Sequence, residues 1–175
     1  MTEKQQQILS SAQKLFALEG VAAVSTARIA KEAGVSEALI FRHFGNKQQL
    51  VQAVVKAGLA AKSSIINGAL HSPDPVSLVH AVLSIPTEVT GDYDQFLPWV
   101  AHLRAVRESG IKISSDSFVR ERLVWAVSEI GHGRPEAVAY TIERVLDQAV
   151  ELGFIGEEDE ANNLCLGLRE LLINE

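Results

Sequence analysis

Apolar residues recur at three- and four-residue steps along most of the chain, a period that predicts helices and no strand. Ile8, Leu9, Ala12, Leu15 and Phe16 give a first helix one apolar face, and Gly20 ends it. Ser25 is placed to cap a short second helix, TARIAKEA, with Ile29, Ala30 and Ala33 on one side, and Gly34 stops it. Ser36 can cap a third, EALIFRHF, in which Leu39, Ile40, Phe41 and Phe44 are available for packing. Asn46 and Gln49 have the spacing of a capping box and open a fourth helix through Leu50, Val51, Val54 and Val55.

The texture changes after residue 68. In the breaker HSPDP, Asp74 can cap and Pro75 suits a first helical position. Further helices are expected over 75–86, 92–107 (with Pro98 in its first or second turn), 117–130 (stopped by GHG), 135–152 (followed by Gly153) and 159–173. The acidic run 157–160 suits the positive end of the last helix's dipole. The expected fold class is all-α with nine helices. It is divided into a helix-turn-helix part at 1–47, a connecting helix at 48–68 and a helical body at 69–175.

Charge adds an asymmetry to this plan. The net charge is −6, yet residues 1–62 hold eight Lys or Arg against four Asp or Glu, whereas the remainder holds eight against eighteen. A basic head of +4 suits a polyanion, and an acidic body of −10 does not. No apolar run approaches the ~20 residues needed to span a bilayer, and the N-terminus reads as mature protein rather than as a signal peptide. The single cysteine, Cys165, lies among Leu164, Leu166 and Leu168 and reads as a small buried hydrophobe. One cysteine fits a reducing compartment, so a cytoplasmic location is expected.

Two short helices joined by a glycine turn, 34–36, have helix-turn-helix spacing, with Ala30, Val35 and Ile40 apolar where they would lock the pair. The third helix would then lie in the major groove of duplex DNA. Its candidate base-contacting residues are Glu37, Ala38, Leu39 and Arg42: Arg can pair with guanine, Glu can accept from cytosine, and Ala or Leu can touch a thymine methyl. Ser25, Thr26, Phe41, His43 and Lys47 form the candidate phosphate-contacting set. Lys47 sits in the first turn of the fourth helix, where a cation opposes the dipole and has little structural reason to be; a phosphate there would resolve the conflict.

Residues 5–55 resemble the N-terminal domain of the TetR family of transcriptional regulators. The resemblance rests on Ile8-Leu9, Ala12, Leu15-Phe16, Gly20, Ile29-Ala30, Ala33-Gly34-Val35-Ser36, Phe41, His43-Phe44, Lys47 and Leu50. It implies a homodimer joined through the last two helices, a ligand pocket in the C-terminal body, and repression relieved by a small molecule. The family usually has Tyr where Phe41 stands, so a hydroxyl contact to phosphate is absent here. Many members have Gly near Ala38, and Thr is frequent at Val24.

For the effector, a mostly apolar pocket is expected among helices 75–86, 92–107 and 117–130, with Trp99 and Trp125 as walls, Tyr93 beside them and His102 as a polar anchor. Arg104 or Arg107 could hold a carboxylate. No metal or cofactor is expected: the histidines 43, 71, 80, 102 and 132 are scattered, and neither HExxH nor G-x-S-x-G occurs. A helical enzyme and a ligand-independent DNA-binding or adaptor protein are the rival classes.

Overall fold

Helices α1 (Glu3–Glu19), α2 (Thr26–Glu32), α3 (Glu37–Phe44), α4 (Lys47–Ala69), α5 (Pro75–Ser84), α6 (Tyr93–Ser109), α7 (Ser117–Ile130), α8 (Pro135–Phe154) and α9 (Glu158–Ile173) follow one another in a computed structural model of the chain. A 3-10 turn, Ile85–Glu88, extends α5. The structure describes residues 1–88, 92–112 and 116–173. Among these residues there is no strand, and no helix is long and apolar enough to cross a membrane.

Side chains fix where the helices begin. Thr2 accepts from the N–H of Gln5, and the Gln5 side chain accepts from that of Thr2, a full capping box at α1. At α4 only half of the expected box forms: Asn46 Oδ1 accepts from Gln49 N–H at 2.9 Å, while the Asn46 N–H goes to the Phe44 carbonyl. Asp74 and Asp116 cap α5 and α7. The Asp116 carboxyl is held below its usual range, chiefly by a hydrogen bond from Ser63 and also by the Phe118 and Val119 N–H groups.

The expected stop of α8 at Gly153 is corrected. Gly153 is buried inside α8, and the chain turns at Gly156, which takes φ +87°. There the Glu157 N–H bonds to the Leu152 carbonyl at 2.9 Å and the Gly156 N–H to the Gly153 carbonyl at 3.2 Å, which closes the helix end.

Two compact units result, residues 1–62 with 97–113 and residues 63–96 with 114–175. In the first, α1 packs on α2 and α2 on α3 around Ile8, Phe16, Val24, Ile29, Ile40 and Leu50, all fully buried. The middle of α6 belongs to this unit because α4 lets it approach closely. A Cβ on Gly58 would lie 2.3 Å from the Pro98 carbonyl oxygen and 2.4 Å from His102 Cβ. In the second unit, α5, α7, α8 and α9 surround Leu78, Val82, Leu123, Val127, Ile142 and Leu146. Arg122 closes the end of α4 by donating to the carbonyls of Leu70 and Ser72, at 3.2 and 3.0 Å.

The Gly58 contact is with backbone, which cannot step aside as a flexible side chain does. Gly58→Ala is expected to lower stability by ~1–3 kcal/mol in chemical denaturation, although alanine favours a helix.

Candidate nucleic-acid interface

The turn between α2 and α3 is a Schellman motif. The Val35 N–H reaches the Ala30 carbonyl at 2.9 Å and the Gly34 N–H the Lys31 carbonyl at 3.3 Å, with Gly34 at φ +63°. A Cβ on Gly34 would meet nothing within 4 Å, so glycine is needed there for backbone conformation and not for space. Ser36 then caps α3 by accepting from Leu39 N–H at 3.3 Å. Ile40 is fully buried and Val35 half-buried, which anchors the pair as the spacing predicts.

With Ile40 facing inward, the outward face of α3 is Ala38, Phe41 and Arg42. Phe41 is 43% exposed, a large apolar side chain held in solvent. Arg42 is exposed and has no hydrogen-bond or ion-pair partner among the described residues. Leu39 and His43 are half-buried at the flanks. Glu37 is half-buried too, and it accepts a 2.5 Å hydrogen bond from Thr26 Oγ1. One expected phosphate contact and one expected base contact are therefore joined to each other, tying the start of α2 to the start of α3. Ser25 accepts from Arg28 N–H at 3.2 Å as the cap of α2, and its own hydroxyl proton is left to donate.

Lys47 corrects the premise drawn from its position. Its Nζ donates to the Val21 carbonyl at 2.7 Å, so the cation in the first turn of α4 has a structural partner. The N–H of the same peptide group, on Ala22, donates to Glu108 Oε2 at 2.8 Å, and Arg104 reaches the Leu18 carbonyl at 3.3 Å. The loop leading into α2 is thus held by α4 and by the end of α6. Sequence reasoning missed Glu108 and Arg104 in this role. Each lies 86 residues from its partner, and no local pattern marks such a pair. Exposed ion pairs Lys14–Glu32 (2.7 Å) and Arg28–Glu19 (2.6 Å) also link α1 with α2.

The four expected effector residues fall in both units. Trp99 and His102 lie in the first, where Trp99 is fully buried with Lys62 Nζ 5.3 Å from its ring and His102 Nδ1 is 2.8 Å from the Val55 carbonyl oxygen. Tyr93 and Trp125 lie in the second, Tyr93 stacked on Phe154 at 4.2 Å and Trp125 beneath the Arg122 guanidinium at 4.2 Å. No group of three or more His, Cys, Asp or Glu is placed to hold a metal among the described residues.

The family described as "Bacterial regulatory proteins, tetR family" matches residues 8–54. An HTH-type transcriptional repressor of Mycobacterium tuberculosis, Rv3405c, is 42% identical over 76 residues, covering 43% of this chain and 38% of that protein. YvkB of Bacillus subtilis, an HTH-type transcriptional regulator, is 41% identical over 66 residues, covering 38% and 35%. The chain therefore spans little more than a third of the length of these relatives. Among solved structures, a TetR-like regulator from Rhodococcus sp. RHA1 superposes with a TM-score of 0.70 at 18% identity, covering 98% of this chain and 97% of that one. AibR in complex with isovaleryl coenzyme A and operator DNA superposes with 0.71 at 16% identity, covering 98% of each. At such identities the likeness is one of fold.

Replacing Lys47 leaves the Val21 carbonyl without its charged donor. Lys47→Met is expected to lower stability by ~1–2 kcal/mol, read by denaturant unfolding of the protein alone.

Proposed function

The chain belongs to the TetR family of bacterial transcriptional regulators, proteins that are not enzymes, and we propose that it binds a pseudo-palindromic operator as a cytoplasmic homodimer and is released by a small-molecule effector. The observation that carries DNA binding is the outward face of α3, where Ala38, Phe41 and Arg42 stand clear of the core on a helix locked by Ile40. Arg42 reads a base edge, with Ala38 and Leu39 against thymine methyls. Ser25, Thr26, His43 and Lys47 position the phosphate backbone, with Phe41 packing beside it. Lys47 Nζ keeps protons for a phosphate after serving Val21.

The dimer reading rests on apolar side chains left in solvent on the last two helices. Tyr140 of α8 is 53% exposed, and Leu164 and Leu171 of α9 are 37% and 79% exposed. Two such helices from each protomer make a four-helix bundle and present two heads with half-sites ~34–36 Å apart or a multiple. For the effector we place the site within the second unit, where Trp125 offers an aromatic face. In that unit Asn67 Oδ1 is buried with no donor among the described residues, an acceptor open to a ligand N–H or O–H. That AibR, solved with both operator DNA and isovaleryl coenzyme A, shares the fold supports a small-molecule effector.

The test is selection of an operator from random duplexes, followed by affinity measurements across salt. Arg42→Ala is expected to cost ~1–3 kcal/mol and to relax specificity at one position. Lys47→Met is expected to weaken all sequences alike and to reduce the salt slope by about one. Unchanged binding in both variants overturns the docking. A separate prediction concerns assembly: light scattering should give twice the monomer mass at micromolar concentration. Leu171→Glu should shift the population to monomer, and a monomeric wild type refutes the dimer.

A further inference from the structure

Between the end of α5, the 3-10 turn and α9 lies a partly enclosed cleft of about 150 Å³, in the second unit. Arg169 lines it, half-buried, with no hydrogen-bond or ion-pair partner among the described residues. Asn162 adds an amide. The hydroxyl protons of Ser84 and Thr87 are already given to the carbonyls of His80 (2.8 Å) and Ser84 (2.6 Å), so toward a ligand both can only accept. Cys165 also lines the cleft, and burial pushes its thiol up to about 11, so it is neutral at pH 7 and adds no negative charge. Leu83 and Leu166 supply apolar wall. The donors in this cleft are thus a guanidinium and an amide.

We propose that this cleft binds a short-chain monocarboxylate, its carboxylate on the Arg169 fork and its alkyl part against Leu83 and Leu166. The volume suits a small acid, since it is about half the lower end for drug-sized ligands. The site stands apart from the proposed dimer face. At ~100° per residue, Asn162, Leu166 and Arg169 lie about 140–200° around α9 from Leu164, whereas Leu171 lies within about 20° of it. Pairing through Leu164 and Leu171 therefore leaves the cleft open.

The test uses the full chain and sodium butyrate, titrated by calorimetry and by amide NMR at pH 7, with butyramide and sodium chloride as controls. Saturable binding in the ~1–10 mM range is expected, with shifts confined to residues around Leu83, Ser84, Asn162 and Arg169. Arg169→Gln should weaken it about tenfold or more. Butyramide, the neutral isostere, should bind at least that much more weakly. Leu166→Trp at the exposed rim should close the cleft and abolish binding, an arm that holds even if Arg169→Gln unfolds. Equal binding of butyramide, full binding by both variants, shifts elsewhere, or no saturation up to about 50 mM overturns the proposal. The readout is on the protein alone, so it stands or falls separately from operator binding.

Discussion

One peptide group, made of the carbonyl of Val21 and the N–H of Ala22, determines how the N-terminal unit presents itself. Both lie in the loop between α1 and α2, where no helical ladder satisfies them. Each is held by a remote charged side chain, Lys47 at 2.7 Å and Glu108 at 2.8 Å. One carbonyl and one N–H so fixed leave the loop little freedom, and the loop sets where Ser25 starts α2. The exposed pairs Lys14–Glu32 and Arg28–Glu19 act on the same junction but count for less, since ion pairs in solvent are worth ~0–1 kcal/mol. Burial of Val24, Ile29 and Ile40 supplies the energy, and the two loop bonds supply the geometry.

From this junction the form of α3 follows. A helix of eight residues is too short to persist alone in water. It exists here because Ser36 caps it, the Schellman turn at Gly34 aims it and Ile40 pins it. A surface built this way is ordered before any partner arrives, which spares the cost of ordering it at the moment of binding. The exposed Phe41 is consistent with that economy, since a rigid helix can hold an apolar ring in solvent that a floppy segment would fold inward.

The helices and the turn were legible in the sequence because they arise from local physics. Apolar period, Ser25 and Ser36 as caps, and Gly34 as the positive-φ residue all act within a few positions. What the sequence hid depends on distance. Lys47 looked out of place because its acceptor is 26 residues away, and the grip of Glu108 on Ala22 spans 86. Gly153 looked like a helix end and is not: it is buried inside α8, and Gly156 makes the turn. The two tryptophans share a region of sequence, yet α6 divides at residue 97, so Trp99 lies in the first unit and Trp125 in the second.

The pairing of Thr26 with Glu37 bears on how a recognition helix of this kind discriminates. A threonine hydroxyl has one proton to give, and here Glu37 has it. In the operator complex proposed above, a phosphate that claims the Thr26 proton releases a carboxylate beside a polyanion. That carboxylate is satisfied where a cytosine or adenine amino group is within reach. Elsewhere it is left desolvated and unpaired, at a cost of ~1–3 kcal/mol or more. Where the pair instead stays closed, Thr26 can only accept, and the phosphate contact falls to Ser25 and Lys47. In the complex proposed above the pair acts by penalty when it opens, setting apart sequences that can satisfy Glu37 from those that cannot, while Arg42, with no partner among the described residues, would supply attraction. On that proposal, specificity comes from one residue that is free to bind and one that must be compensated for being disturbed.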